Sequence, residues 1–536
     1  MPSPASGALL ARVRPMPGGP DGWRAEAEGL AWEAGRIVAV GKAKEVRTAA
    51  AARGWTVEDL GDAIVIPGFV DAHTHFLHIG VKTTRPDLSA ATSKEDALAR
   101  VRAWLEAHPG TDPVIAELWD ESGWPRRERP TRADVDRAAA QAGMAARPIV
   151  LRRVCGHVAV AGSAALPMVR ARWDKDDLVD SETGLLLEDA SLYLNEVLPV
   201  PPAGLDRALA LATDKSLALG ITAVGDYSQA PYREALLRAA AAGTLRLRVA
   251  SSVYVQQLEN EIGAGFQTGR VRSPWLRDGG LKVFLDGSLG GRTAALRAPY
   301  LDAPAGLAAD CGGEAGRSRH GCVGHPHPQG TLNWGDADVH RLFGRAAAAG
   351  MQVHAHAIGD AAIDQALEGF AGLPGDGGRL RHRIEHYEVH HDEQLRETAR
   401  LGVVASSQPN FVGAWSSKGG MYEERLGAQR VGLNNRFRTL LEAGVSLAFG
   451  SDGMPPGPLL GIRAAQAHHD PAQRMAPAEA IWHYTWWSAW SLHWEKEIGS
   501  LERGKWADFV VLDGDLEDAA SLKVRSAWTA GERRHG

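Results

Sequence analysis

The residues best suited to chemistry begin with the motif Asp71-Ala-His73-Thr-His75, which directly follows a mainly apolar run over residues 63–70. Residues two apart in a strand point to the same side, so His73 and His75 project together, as a pair of metal ligands must. A lone histidine is more often a core residue. The motif therefore predicts a metal site chiefly in combination with other ligands.

Further candidate ligands follow at the ends of later apolar runs. Lys282 interrupts the apolar segment 281–285, and an ammonium group buried without a partner is costly. His356, His386 and Asp452 each end a strand-like segment. Core packing alone rarely produces such a set, so these residues point to metal-assisted chemistry.

Eight strand-like segments alternate with helical segments rich in Ala and Leu, and they must position these residues. The segments are 64–71, 221–226, 245–255, 280–286, 352–356, 382–386, 403–408 and 445–452. This alternation predicts a parallel sheet, and eight strands match a closed (β/α)₈ barrel, whose catalytic groups lie at the C-terminal ends of several strands. We predict the α/β class with a TIM barrel. The first two strands are separated by far more chain than one helix needs, so an insertion is expected at about 81–210.

Composition narrows the classes of partner. The 536 residues carry a net charge of −6, which argues against nucleic acid and acidic membrane surfaces and favours a small-molecule substrate. Three cysteines form no disulfide framework and indicate a reducing compartment. No apolar run is long enough to span a membrane. We expect a cytoplasmic protein and leave homo-oligomerisation open.

The sequence resembles the amidohydrolase superfamily of metal-dependent hydrolases, within it the amidohydrolase family 3 branch that contains N-substituted formamide deformylase-like enzymes. Segments spread over nearly the whole chain carry the resemblance: 67–75, 220–226, 282–288, 356–360, 384–386, 407–409, 450–452 and 498–508. Together these segments are far more specific than a His-x-His motif alone.

The resemblance implies a two-metal site. In it, His73 and His75 hold one ion and His356 and His386 hold a second. Lys282 bridges both ions as a carbamate formed with carbon dioxide, and Asp452 completes the site. Zinc is the expected metal, although iron and manganese suit the same ligands.

The resemblance also implies the domain organisation. The two chain ends pair into a composite β-sandwich, with residues 1–66 as its N-terminal part and 495–536 as its C-terminal part. The barrel then occupies residues 67–494 and includes the insertion.

These roles imply hydrolysis of a non-peptide, amide-type carbon–nitrogen bond. A divalent metal lowers the pKa of bound water from 15.7 toward about 7, which supplies hydroxide at neutral pH. Asp452 is the candidate proton shuttle, because it would take the proton from the water and deliver it to the leaving nitrogen.

Four residues are weaker candidates for substrate contacts: His157, Asp286, Trp119 and Gln408. The segment 161–163 departs from the pattern of the branch, which puts polar contacts from the insertion in doubt. Asp286 and Glu385 could equally orient metal ligands or cap strand ends. We expect His354 to be structural, since it lies one layer deeper than His356.

Two other functions remain open. A single-metal deaminase-like enzyme of the same superfamily would have no need of a bridging Lys282. A non-catalytic barrel that binds a small molecule or a metal would have no need of Asp452 as a proton shuttle.

Overall fold

The computed structural model describes residues 5–154, 156, 158–174, 178–187, 189–192, 194–303, 317–324, 327–375 and 378–536. The strands are β1 (Gly7–Val13), β2 (Ala27–Glu33), β3 (Arg36–Gly41), β4 (Val57–Pro67), β5 (Phe69–Thr74), β6 (Val114–Trp119), β7 (Ile149–Arg153), β8 (Val158–Ala161), β9 (Leu185–Leu187), β10 (Ile221–Tyr227), β11 (Arg248–Tyr254), β12 (Val271–Ser273), β13 (Leu276–Phe284), β14 (Arg317–Ser318), β15 (Gly321–Cys322), β16 (Val353–Ala357), β17 (Arg383–His386), β18 (Val404–Ser407), β19 (Leu447–Phe449), β20 (Phe509–Asp515), β21 (Asp518–Thr529) and β22 (Glu532–His535).

The α-helices are α1 (Ala43–Ala51), α2 (Phe76–Thr83), α3 (Lys94–Ala107), α4 (Arg132–Gln141), α5 (Leu166–Arg170), α6 (Asp189–Leu192), α7 (Leu194–Val197), α8 (Pro202–Ala218), α9 (Ala230–Ala242), α10 (Leu258–Gly263), α11 (Asp336–Ala348), α12 (Asp360–Ala371), α13 (Asp392–Leu401), α14 (Pro409–Trp415), α15 (Met421–Arg430), α16 (Phe437–Glu442), α17 (Pro458–Gln466), α18 (Pro477–Trp482) and α19 (Ser488–Ser491). A π-helix, His483–Trp487, joins α18 to α19.

Eight parallel strands form the barrel sheet, in the order β5, β10, β11, β13, β16, β17, β18 and β19. Two backbone N–H groups just beyond β19 donate hydrogen bonds to the end of β5. Asp452 N donates to His73 O at 2.7 Å, and Ser451 N donates to the Asp71 carboxylate at 2.9 Å. Gly450 permits this approach, because a Cβ there would lie 2.5 Å from His73 N. The predicted fold class is confirmed, since the parallel barrel carries a sheet formed by both chain ends.

The first predicted strand, 64–71, is in fact divided between two sheets. Residues up to Pro67 belong to β4 of the terminal sheet, and the barrel strand begins only at Phe69. Proline lacks the N–H that would continue a ladder, which accounts for the break. The terminal sheet has the order β22-β21-β20-β4-β1-β2-β3 and so combines both chain ends.

The chain divides into two compact units, one of residues 1–76 and 213–536 and one of residues 77–212. The second unit has its own sheet, in the order β6-β7-β8-β9. Its core includes Trp119 and Trp124, whose ring centroids lie 6.3 Å apart. Within it, buried Glu117 pairs with Arg85 at 2.6 Å and Arg152 at 2.7 Å.

Two features bear on the environment of the protein. None of the described helices combines the length and apolar character needed to cross a membrane. Cys322 is disulfide-bonded, and the other two cysteines lie outside the described residues. The cysteine argument for a reducing compartment therefore finds no support here.

Candidate metal centre

Three of the predicted ligands form the centre of the site. One ring nitrogen from each of His73 and His386 and one carboxylate oxygen of Asp452 lie within 4.8 Å of one another. His73 ends β5, His386 ends β17 and Asp452 follows β19, so the barrel brings them together from distant parts of the chain. Both His386 (φ 73°) and Asp452 (φ 56°) adopt the left-handed backbone region, a strained conformation that is concentrated at functional sites.

The other three predicted ligands surround this centre. Lys282 Nζ lies 3.3 Å from His73 Nε2, and His75 Nε2 lies 3.3 Å from an Asp452 carboxylate oxygen. The His356 ring centroid lies 4.5 Å from that of His386. All six candidate ligands therefore come together at one end of the barrel.

The histidine ring nitrogens show which atoms are free for a metal. Burial and the nearby Lys282 lower the pKa of His73 to about 4 and of His356 to about 3, so both rings are neutral at physiological pH. His356 Nδ1 and His386 Nδ1 are buried and have no hydrogen-bond partner. A buried neutral imidazole with an unused nitrogen is a suitable ligand for a divalent metal, so these residues fit such an ion.

Lys282 is fully buried among the other candidate ligands. Its Nζ lies 4.3 Å from the centroid of the Tyr227 ring, and burial lowers its pKa to about 8. No carboxylate among the described residues forms an ion pair with it. Although burial opposes it, the neighbouring His75 and His73 hold the pKa of the Asp452 carboxyl well below its ordinary value.

Glu385 orients His73. Its carboxylate lies 2.7 Å from His73 Nδ1 and is itself held by Arg383, one layer down the strand. Although burial opposes it, Arg383 keeps the pKa of Glu385 well below the ordinary range, so the carboxyl is ionised. This fixes the ring with Nε2 facing Lys282 and Asp452, an arrangement that metal-binding histidines commonly have.

Asp286 makes close contacts with two loops and with a candidate ligand. Its carboxylate accepts backbone N–H groups from Ala295, Ile358 and Gly359, at 2.9, 3.1 and 2.9 Å, and lies 3.4 Å from His356 Nε2. Burial nevertheless raises its pKa to about 8. Asp286 therefore holds the two loops that follow β13 and β16 and lies against His356, and its role as a substrate contact stays a prediction.

The other predicted substrate contacts are Gln408, Trp119 and His157. Gln408 Nε2 lies 3.4 Å from His73 Nδ1, which places Gln408 at the site. The described contacts of the Trp119 ring are core contacts within its own unit, so its role as a substrate contact stays a prediction. His157 lies outside the described residues. His354 bonds the Tyr227 hydroxyl at 2.9 Å and Gln352 at 2.7 Å, as expected for a structural residue.

Sequence reasoning missed two residues at this end of the barrel. Tyr227 accepts a hydrogen bond from His75 Nδ1 at its carbonyl, at 3.1 Å, and packs its ring against His73, with the centroids 4.6 Å apart. Its place directly after the motif 220–226 was the available signal. Glu388 is buried near Tyr422 and Asn434, and burial raises its pKa to about 7. Its place two residues beyond His386 was the only hint.

Comparison with known proteins agrees with this geometry. A model of the amidohydrolase family matches residues 56–534. The chain is 32% identical over 486 residues to a Bacillus subtilis (strain 168) protein named as amidohydrolase YtcJ, covering 85% of each chain. It is 28% identical over 536 residues to an N-substituted formamide deformylase of Arthrobacter pascens, covering 92% of this chain and 91% of the relative. A metal-dependent hydrolase of unknown role from Pyrococcus furiosus superposes with a TM-score of 0.78 at 27% identity, covering 96% of this chain and 100% of that one.

Proposed function

The chain belongs to the amidohydrolase family, and on that premise we propose that it hydrolyses a non-peptide, amide-type carbon–nitrogen bond of a small molecule. The observation that carries the proposal is the cluster of His73, His386 and Asp452 with Lys282 beside it. A metal-dependent hydrolase needs such a set of ligands, and the N-substituted formamide deformylase relative points to amides as the first substrates to test.

We propose two divalent ions, with zinc first, held by His73 and His75 on one side and by His356 and His386 on the other. When bound, such ions lower the pKa of water and polarise a carbonyl. Lys282 would bridge the ions as a carbamate. Two facts support this role: Lys282 has no carboxylate partner among the described residues, and its lowered pKa increases the neutral amine, the form that combines with carbon dioxide.

Asp452 would act as the proton shuttle. Its carboxyl is ionised, because its pKa is well below the ordinary value, so an oxygen atom is available to take a proton from the attacking water. It would then pass that proton to the leaving nitrogen, because an amine leaves far more readily than its anion. His75 Nε2 lies 3.3 Å from this carboxylate, so the two side chains face the same space.

Elemental analysis and a substitution at Lys282 test the proposal together. We expect about two divalent ions per chain in the protein purified without chelator, and hydrolysis of N-substituted formamides. Lys282→Ala should lower the metal content to about one ion and abolish hydrolysis. Lys42→Ala, an exposed lysine paired with Glu28, is the control and should change neither.

Other outcomes favour the alternatives. About one ion per chain with release of ammonia from a ring amine would favour the single-metal deaminase. No metal after supply of zinc and bicarbonate would favour the non-catalytic barrel. A cytoplasmic location and the oligomeric state stay predictions.

A further inference from the structure

Three buried side chains at the ends of β17 and β18 carry acceptor atoms that make no hydrogen bond of good geometry within the described part of the chain. They are Glu388, Gln408 and Asn410, which are 3%, 1% and 6% exposed. The buried atoms without a hydrogen-bond partner are Glu388 Oε2, Gln408 Oε1 and Asn410 Oδ1. Because β17 and β18 are neighbours in the barrel, these residues lie at the same end as the metal ligands.

The orientation of each amide is fixed by its own donors. Asn410 Nδ2 donates to the backbone oxygens of Ser451 and Met454, both at 3.0 Å. Gln408 Nε2 donates to Ser406 O at 3.2 Å. The amide oxygens must therefore face elsewhere. A buried acceptor without a donor is unfavourable, and a ligand with donor groups would recover this cost.

Glu388 is a buried carboxyl group without a cation beside it among the described residues. It forms no ion pair with any arginine, lysine or histidine of the described residues, and the Asp452 carboxylate acts on it unfavourably. The Tyr422 hydroxyl and the Asn434 amide face the Glu388 carboxyl, and neither supplies a positive charge. A buried carboxylate is stable only when it is paired, so this one is suited to a cation supplied from outside.

Aromatic rings lead from the metal ligand His386 toward the same place. Phe411 stacks on His386 with centroids 6.2 Å apart, Trp415 lies 4.6 Å from Phe411, and Tyr422 lies 6.0 Å from Trp415. Trp415 remains partly exposed. Aromatic faces attract cations, so the rings and the unpaired acceptors favour the same kind of group.

We propose that Glu388 selects substrates that carry a cationic nitrogen on the apolar or aromatic group next to the scissile bond. The inference rests on the proposed hydrolysis of an amide bond and specifies its substrate class. Gln408 and Asn410 would accept hydrogen bonds from the same region of the substrate, and Phe411 and Trp415 would pack against its apolar part.

A matched pair of formamides tests this selection in the protein supplied with zinc and bicarbonate. One is the monoformamide of 1,4-bis(aminomethyl)benzene, which carries an ammonium, and the other is the formamide of 4-ethylbenzylamine, which is isosteric and uncharged. We expect kcat/KM to be about tenfold higher for the charged compound, mainly through KM, as a charged hydrogen bond allows.

Glu388→Gln should lower the ratio of kcat/KM for the charged compound to kcat/KM for the uncharged compound to about one. Glu397→Gln changes an exposed glutamate of α13 that pairs with Arg400 and is the matched control, which should keep the preference. Equal kcat/KM for both compounds in the unsubstituted protein, or a preference that survives Glu388→Gln, would overturn the inference.

Failure of the proposed function can be distinguished from failure of the inference about Glu388. If the unsubstituted protein hydrolyses neither compound, amide hydrolysis fails on these substrates, and calorimetric titration of both compounds then decides the inference. Tighter binding of the charged compound that Glu388→Gln abolishes supports it. Equal binding of the two compounds refutes it.

Discussion

Two clusters of buried charge in the barrel unit are built in opposite ways. Where β11 meets the terminal sheet, buried Arg248 donates to Asp508 at 2.5 and 3.0 Å and to Pro274 O at 2.6 Å. Its guanidinium also stacks between the rings of Trp275 and Trp506, at 4.6 and 4.5 Å. Each of its three nitrogens has an acceptor.

The metal centre, in contrast, leaves polar atoms unused. His356 Nδ1 and His386 Nδ1 are buried without partners, and Lys282 has no paired carboxylate among the described residues. A cluster that serves the fold satisfies its groups internally, because each unsatisfied group would cost stability. A cluster that serves a ligand leaves groups open, and the fold elsewhere must offset the cost.

Matched aspartate substitutions should affect the two clusters differently, and the largest expected effect is on kcat. Asp452→Asn should lower kcat by about 10³-fold, because the amide cannot accept and return a proton. Asp508→Asn should leave kcat unchanged and lower thermal stability instead, because it removes the charge that pairs with Arg248. Steady-state kinetics, metal analysis and thermal unfolding of both variants measure this. An active Asp452→Asn protein would contradict the proton-shuttle role.

Substitution of Arg248, the other member of the pair with Asp508, should have the next largest effect. This effect should be on stability alone. Arg248→Met removes the cation and leaves Asp508 buried without its charge partner, which we expect to reduce the free energy of unfolding by about 3–5 kcal/mol. Urea unfolding measures this change, and the metal content of the folded protein should not change. A loss of metal with unaltered stability would show that the two clusters are not independent.

A smaller effect, on metal affinity, is expected for substitution of Glu385, which orients His73. Glu385→Gln keeps the size of the side chain but removes the ionised acceptor from His73 Nδ1, so metal affinity should fall by about 10–100-fold. Competition with a chelator measures the affinity. Glu479→Gln, at a carboxylate paired with Arg438, is the control. Equal metal affinity in both variants would assign Glu385 to packing only.

The smallest effect concerns a buried histidine outside the site. His483 Nδ1 donates to Leu447 O at 2.8 Å, and burial lowers the pKa of His483 to about 4. As the pH falls below the unfolded value of about 6.5, the unfolded chain binds a proton that the folded chain excludes, so stability is lost. His483→Gln should remove about 1.4 kcal/mol per pH unit of this dependence between about pH 6.5 and pH 4.5.

Urea unfolding of the metal-free protein and its variant across that pH interval measures the difference. A parallel pH dependence in the two proteins would show that His483 does not carry this proton linkage. His356 and His386 are not suitable for the same comparison, because protons and metal compete there.

The sequence revealed most of the barrel because each strand is a short apolar run that ends in a polar cluster. The prediction of the first strand was wrong at Pro67, because the apolar pattern continues across the point where the chain passes from the terminal sheet to the barrel. Trp482, Trp486, Trp490 and Trp494 follow one another at four-residue intervals, which predicts that they share one face of a helix. The rings of the first three do stack, with centroids 5.9 and 6.4 Å apart. Trp494 does not join them, because the last helix ends at Ser491.

The site was predictable to a similar degree. The candidate ligands stand out because histidine and lysine are unusual at the ends of apolar strands. The role of Glu385 could be inferred from its alternation with Arg383, since residues two apart share a face of the strand. The pairing of Asp286 with backbone N–H groups and the approach of Tyr422 to Glu388 depend on loop conformations, which no periodic pattern encodes.

The link between Asp71 and Ser451 also determines when the site can exist during synthesis. These residues are 380 positions apart, so His73 leaves the ribosome long before Asp452 does. At about 5–20 residues per second, the delay is roughly 20–80 seconds. During that interval the early histidines are exposed on an incomplete barrel. A site that needs both His73 and Asp452 can therefore be complete only after the chain has been synthesised beyond residue 452.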